Sequence, residues 1–333
     1  METRKVQVTG GSSYIITLPK EWVLSAKIKK NDPVGVAPQP DGSLLITPNA
    51  TMERDTLTKE FLVDSITDGS FLFRLLIGAY ISGYANILVR AKGGIPPNLR
   101  DSIISFTQTL IGPEIVEEDA NYIFIKDLLK PTELPFDKTL KRMYLLVKGM
   151  HESTIAALSG RDKEMASEVI KRDRDVDRLQ WLVARQTHML LDDISLSKKM
   201  DIRQPDVTLY LTMSRILERV GDHAIIIATH IPVLIDTDIG AKSADTIANA
   251  SRQALQMLSK SMEAWQKRDM VLANDNIESL KPLIRNCKKI NDMAANMDGE
   301  PAVALSYISE SIRRTGEYAT DISELLINSL VND

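Results

Sequence analysis

The chain has 333 residues, 44% of them hydrophobic and 26% charged, with a formal net charge of -4. Such a composition excludes wholesale disorder and supplies about two or three domains of roughly 100–200 residues each. The acidic balance gives no general attraction to nucleic acid, so any basic surface has to be local. Cys287 is the only cysteine, which excludes an internal disulfide and a thiolate metal cluster. The histidines His151, His188, His223 and His230 are scattered and unpaired by spacing. No apolar stretch approaches the ~20 residues of a membrane span, and the N-terminus METRKVQVTG lacks the apolar run of a signal peptide. A cytoplasmic protein with no membrane insertion is the expectation.

Residues 1–50 alternate, with Val6, Val8, Ile15, Leu18, Val34, Val36, Leu45 and Ile46 set among Gly and Pro. A period near two predicts short strands, with turns at Gly10-Gly11 and Asp41-Gly42 and a short helix after Pro19. About 50 residues make a marginal core, so pairing with a second copy is expected. Residues 51–133 mix periods: an apolar run Phe71–Ile81, strands at Asn86–Arg90, Glu114–Glu117 and Tyr122–Ile125, and a helix from Asn98 to Leu110. This reads as a small α/β layer without a chemical motif. Gly93-Gly94-Ile95-Pro96-Pro97 lacks the lysine and spacing of a nucleotide loop and reads as a turn.

From Leu134 onward strand signals stop. Amphipathic stretches at about 136–158, 162–190, 204–235, 243–267, 269–296 and 301–331 predict six helices. Residues 214–224 resemble 309–319, with Gly221 matching Gly316, and Arg161-Asp162 matches Arg268-Asp269. This pattern predicts a tandem pair of three-helix bundles, about 134–236 and 241–331, with a longer polar connection around 192–204 in the first half. The expected fold class is therefore α+β multidomain, with boundaries at 1–50, 51–133 and 134–333.

The chemically informative residues lie in the first bundle. Asp173 and Asp177, at i and i+4, interrupt an apolar row formed by Ala166, Ile170, Trp181 and Ala184. Glu218 and Asp222 do the same among Leu211, Ser214, Ile225 and Ala228. Carboxylates on inward faces are costly unless paired or bound to a cation, and oxygen donors suit manganese, iron, magnesium or calcium, with zinc also open. Arg172, Arg174, Arg178, Arg215 and Arg219 leave a second reading open, in which the acids belong to a solvated, salt-bridged face.

Two stretches resemble known families. Thr9-Gly10-Gly11-Ser12-Ser13-Tyr14-Ile15-Ile16-Thr17-Leu18-Pro19-Lys20-Glu21-Trp22, followed by Lys30-Asn31-Asp32-Pro33-Val34, is similar to a SpoVT-AbrB domain. That resemblance implies a DNA-binding β barrel made of hairpins swapped between two chains. Asp173-Arg174-Asp175-Val176-Asp177 and Leu217-Glu218-Arg219-Val220-Gly221-Asp222-His223-Ala224 resemble PhoU domains. The order of the two parts resembles archaeal phosphate uptake regulators. What the PhoU resemblance implies is an iron or zinc cluster, with Asp173, Asp177, Glu218 and Asp222 as the ligands carried over by position. It also implies contact with a phosphate ABC transporter ATPase. In the second bundle the corresponding residues are Leu280, Ile284, Arg313 and Glu317, so one cluster is expected.

For DNA, Arg4, Lys5, Lys20, Lys27, Lys29 and Lys30 against Glu2, Glu21, Asp32 and Asp41 leave a small basic excess, doubled in a dimer. Arg4, Lys5 and Lys20 are the candidate phosphate contacts, with Ser12, Ser13 and Thr17 as hydrogen-bonding neighbours. The expected function is a non-enzymatic, homodimeric transcriptional regulator of phosphate uptake with a metal-binding helical sensor. The alternatives are an adaptor that restrains a phosphate transporter without binding DNA, and a carboxylate-bridged metalloenzyme.

Overall fold

The computed structural model describes residues 2–38, 42–48 and 57–331. The chain divides into two compact units, Met1–Thr56 and Leu57–Asp333.

The first unit is a pair of antiparallel hairpins and one short helix. Strands β1 (Gln7–Thr9) and β2 (Ser13–Ile15) pair around Gly10 and Gly11, whose φ angles of 63° and 82° suit the tight turn expected there. Helix α1 (Lys20–Ser25) starts after Pro19, and β3 (Gly35–Pro38) pairs with β4 (Leu44–Thr47). Of the predicted Asp41-Gly42 turn, Asp41 lies outside the described residues. No described residue of this unit is buried, and Val8, Tyr14 and Leu24 are 63%, 78% and 66% exposed. Among its described residues, a single copy therefore has strands but no core.

The second unit begins with a four-stranded sheet in the order β5 (Thr58–Leu62), β6 (Asn86–Arg90), β8 (Tyr122–Asp127), β7 (Pro113–Glu118). Strands β5 and β6 are parallel, joined by α2 (Gly69–Ile81), and the other pairs are antiparallel. The predicted α/β elements appear here, together with β5, which the sequence reading did not single out. Leu72 and Leu76 of α2, with Leu99, Ile103 and Phe106 of α3 (Pro97–Thr109), bury one face of the sheet over Ile87, Val89, Ile123 and Ile125.

The rest is helical: α4 (Phe136–Gly160), α5 (Lys163–Lys171), α6 (Asp173–Asp192), α7 (Ile194–Lys199), α8 (Gln204–Thr237), α9 (Ala241–Lys267), α10 (Met270–Glu278), α11 (Leu280–Ala294) and α12 (Glu300–Val331). Where six helices are predicted, nine are found among the described residues. The second stretch of each half is broken, at Arg172 and at Ser279, and a short helix occupies the polar connection. Pro282 explains the later break, because its ring and missing N–H prevent a continuous bond to Glu278. At the earlier break the chain tightens into i to i+3 bonds, Arg172 N to the Val169 carbonyl and Asp175 N to the Arg172 carbonyl, both 3.1 Å.

These features repeat at one spacing, 107 residues, as in 268 against 161 and 279 against 172. Arg161 and Arg268 both end a helix in the left-handed region, at φ 54° and 52°. Asp162 and Asp269 both cap the next helix by accepting from the amides of Met165 and Leu272 at 2.9 Å. A second correspondence, at 95 residues, places Gly221 and Gly316 on the two long helices α8 and α12. A Cβ on Gly221 would lie 3.4 Å from Val147 and 3.7 Å from Val176, and one on Gly316 would drive into the buried Leu283. Val176 and Leu283 are themselves 107 residues apart.

A buried ion pair fastens the helices to the sheet layer. Arg185 of α6 meets Asp127 at the end of β8 at 2.8 Å, with side chains only 4% and 8% exposed. The same guanidinium donates to the Tyr80 carbonyl and lies 4.7 Å above the Tyr80 ring. No helix among the described residues is long and apolar enough to cross a membrane.

The two glycines give a direct test of the packing. Gly221→Ala gains helix propensity against an ordinary contact and should change stability by less than about 1 kcal/mol. Gly316→Ala overpacks Leu283 and should cost about 1–3 kcal/mol, read as a lower urea midpoint at unchanged m-value.

Candidate metal centre

The break at Arg172 starts α6 afresh, so Asp173 and Asp177 stand one turn apart at its N-terminal end, flanking the fully buried Val176. On α8, Glu218 and Asp222 stand one turn apart around the fully buried Leu217 and Val220. Because Gly221 has no side chain, α8 can approach Val176 closely, and the acids next to these two residues come into one another's field. All four are partly buried.

Their electrostatics record the conflict. Burial, then Asp173 and Asp222, raises the Asp177 carboxyl to about 6. Burial, then Asp222 and Asp177, raises Glu218 to about 7 against the opposing pull of Arg219. Asp222 is raised by burial and by Asp173, again opposed by Arg219, and Asp173 is raised by burial. Asp173 Oδ1 is buried with no hydrogen-bond partner. None of the four makes a salt bridge among the described residues, whereas Arg178 lies 3.9 Å from Asp175 on the outer face. The salt-bridged face thus involves Asp175 rather than the four candidate acids. Charge neutralisation by a cation suits this donor set, yet among the described residues no three His, Cys, Asp or Glu side chains form a ready group for one ion. Donors arranged as two pairs, one on each helix, are what the chain itself provides.

In the second half Glu317 is taken up by Arg313 and by Arg314 at 2.7 Å. Leu280 and Ile284 offer no oxygen. His223, beside Asp222, has a buried Nδ1 without a partner and a pKa lowered by burial and by Arg314. His151 is fully buried, with Nε2 2.9 Å from the Val220 carbonyl and its pKa brought down to about 4 by burial. Arg219, read from sequence as one of several neighbouring arginines, moderates Glu218 and Asp222 from the same helix, one residue after the first and three before the second. In the first unit Arg4, Lys5, Ser12, Thr17 and Lys20 are all exposed, and Arg4 pairs with Glu2.

The family described as "PhoU domain" matches residues 140–231, which include all four acids. The chain carries a PhoU domain. The family described as "Antidote-toxin recognition MazE, bacterial antitoxin" matches residues 7–53, an AbrB-like N-terminal region. The chain is 25% identical over 181 residues to a protein of Zymomonas mobilis named "Phosphate-specific transport system accessory protein PhoU homolog", covering 52% of this chain and 74% of that protein. A protein of the same name from Caulobacter vibrioides is 25% identical over 193 residues, covering 56% and 82%. The crystal structure of PhoU from Pseudomonas aeruginosa superimposes with a TM-score of 0.53 at 19% identity, covering 60% of this chain and 96% of that one, which establishes a shared helical fold.

The raised carboxyls fix the sign of a pH effect in the PhoU region. Their folded pKa values lie above the unfolded values near 4, so the folded state holds the extra protons between about pH 4 and 7. With chelator present, the stabilisation is full below pH 4 and is lost as pH rises through 6 and 7. Urea titrations at pH 5 and 8 should show this loss, and Asp177→Asn with Glu218→Gln should flatten it.

Proposed function

We propose that this chain regulates phosphate transport, with its PhoU region acting on a phosphate transport system and its N-terminal unit binding DNA as a homodimer. The observation that carries the reading is the PhoU match over residues 140–231, supported by relatives named as accessory proteins of the phosphate-specific transport system. A regulatory accessory role is favoured over an enzymatic one by the same names. The working organisation is an N-terminal DNA-binding domain to about residue 50, an α/β connector to about 133, and two three-helix bundles beyond it. In those bundles α4, α5–α6 and α8 form the first set and α9, α10–α11 and α12 the second. Two copies would interleave their N-terminal hairpins into a swapped barrel, a reading supported by the absence of buried residues in the described part of that unit.

Asp173, Asp177, Glu218 and Asp222 would hold a metal cluster, iron or zinc by family resemblance. Bound metal would supply positive charge, allowing the four carboxylates to stay ionised where α6 meets α8. The orphaned Asp173 oxygen and the mutual repulsion of the acids support this role. Regulation then reduces to a difference in affinity: a ligand, metal or transporter partner that prefers one arrangement of the helices shifts its population.

Phosphate uptake measured with and without the chain, alongside its DNA occupancy in phosphate-rich and phosphate-starved cells, tests the reading. Unchanged uptake would overturn the transport role, and changed uptake without occupancy would leave an adaptor. Elemental analysis of the full chain should find metal that Asp177→Ala with Asp222→Ala removes, and equal metal contents would remove the cluster. In mobility shifts, Lys5→Glu with Lys20→Glu should weaken DNA binding and reduce the salt slope by about 3–4, since each phosphate that a dimer no longer neutralises lowers it by about 0.9. An unchanged slope would exclude both lysines from the DNA surface.

A further inference from the structure

One end of the helical region carries a cleft of about 400 Å³, where the first turns of α4 and α8 face the last turns of α9 and α12. It is two turns of α8 away from Glu218 and shares none of the four acids. Its volume falls within the range of about 300–1,000 Å³ typical of small-molecule sites. Its chemistry is divided. The apolar wall is aromatic: Tyr210 stacks on Phe136 with centroids 4.8 Å apart and planes at 11°, and stands edge-on to Trp265 at 6.1 Å and 76°. The polar rim brings Lys138, Lys141 and Arg268 to the same opening.

The charges of the rim are unequally committed. Asp206 is held by Arg203 in a two-pronged pair at 2.7 and 2.9 Å, and Asp137 sits close enough to the Tyr210 hydroxyl to act with burial in raising its pKa to about 12. Lys138 and Lys141, one turn apart at the start of α4, make no ion pair or hydrogen bond among the described residues. Helices α4 and α8 both begin here without a side-chain cap, so their first-turn N–H groups are open to an acceptor, while the carbonyl ends of α9 and α12 offset their field. A cationic ligand would find one of the two acids held by Arg203 and three cationic side chains on the same rim. Inorganic phosphate would use the rim and leave the aromatic wall uncovered. A planar ring joined to an anionic group satisfies both halves, the ring against Tyr210 and Trp265 and the anion at the lysines.

We propose that this cleft binds a nucleoside phosphate, with Tyr210 and Trp265 receiving the base and Lys138, Lys141 and Arg268 the phosphate. The site belongs to the helical region alone and does not depend on metal or DNA. A ligand seated there bridges all four long helices, so its occupancy favours the arrangement in which their ends are together.

Equilibrium dialysis of the full chain against AMP and ATP, with adenosine and inorganic phosphate as separate arms, tests the proposal. One of the nucleotides should bind saturably, with adenosine and phosphate each weaker by about tenfold or more. Lys138→Glu with Lys141→Glu should weaken that nucleotide by about tenfold or more, and because both lysines are exposed and unpaired, the melting temperature should stay unchanged. Lys138→Gln with Lys141→Gln should show the same order of affinities with a smaller loss. Trp265→Phe should abolish the nucleotide-dependent change in tryptophan emission. Nucleotide binding no tighter than that of phosphate would overturn the proposal, as would affinity unaltered by charge reversal at the two lysines.

Discussion

The contact on which the candidate centre depends is apolar. Gly221 lets α8 settle against Val176 of α6, and because Asp222 and Asp177 are the next residues along each helix, that closeness forces two carboxylates into a shared, half-dry space. Packing is indifferent to the sign of charge nearby, so the acids are held at an energetic disadvantage by the hydrophobic contact beside them. The second half of the repeat serves as an internal control. Gly316 meets Leu283 in the same way, but the flanking residues are Ile284 and Glu317, and Glu317 is satisfied by Arg313 and Arg314. One backbone solution is therefore used twice, once with four acids that have no salt bridge among the described residues and once with the flanking acid, Glu317, paired to arginines.

Helix α6 links that charge to the rest of the second unit. Its N-terminal end bears Asp173 and Asp177, and further along it Trp181 packs against the core of the sheet layer and Arg185 closes the buried pair with Asp127. A buried ion pair adds little net stability compared with apolar packing, but separating its partners is costly, because each would be left charged and dry. The sheet and α6 thus have little freedom to slide past one another. A displacement of α6 at its acidic end is more easily taken up at the break at Arg172, where the helix is already interrupted, than at the clamp.

Much of this was legible in sequence because it is local or periodic. Strand β6 and helix α3 follow directly from their patterns, the apolar run at 71–81 marks the place of α2 without fixing its type, and the pairs at 161–162 and 268–269 announce the duplication. Strand β5 was not, since Lys59 and Glu60 break its apolar pattern at the sheet edge. The division of the second helical stretches was missed for a different reason: Pro282 is visible, but the turn at Arg172 has no proline and is defined only by its hydrogen bonds. The spacing of the four acids was readable, but their mutual repulsion was not, because it depends on how α6 and α8 pair. Arg185 and Asp127 lie far apart in the chain, and neither carries any mark of burial. The aromatic cleft is likewise assembled from the ends of four helices, which no single window contains.

The two units differ most in how they satisfy their apolar residues. The helical region buries a continuous core running from Leu140 to Ile322, closed by its own helices. The N-terminal unit leaves Val6, Val8, Tyr14, Ile15 and Leu24 largely exposed in one copy, beside the exposed cations Lys5 and Lys20. Covering apolar surface gains about 25 cal/mol per Å², whereas bringing like charges together costs energy that salt screens. A second copy laid over the strands would gain the first term, and it would also double the cationic charge that a polyanion can neutralise. In the proposed dimer, the apolar residues exposed in the described part of this unit would therefore favour a pairing that also raises the charge available to a polyanion.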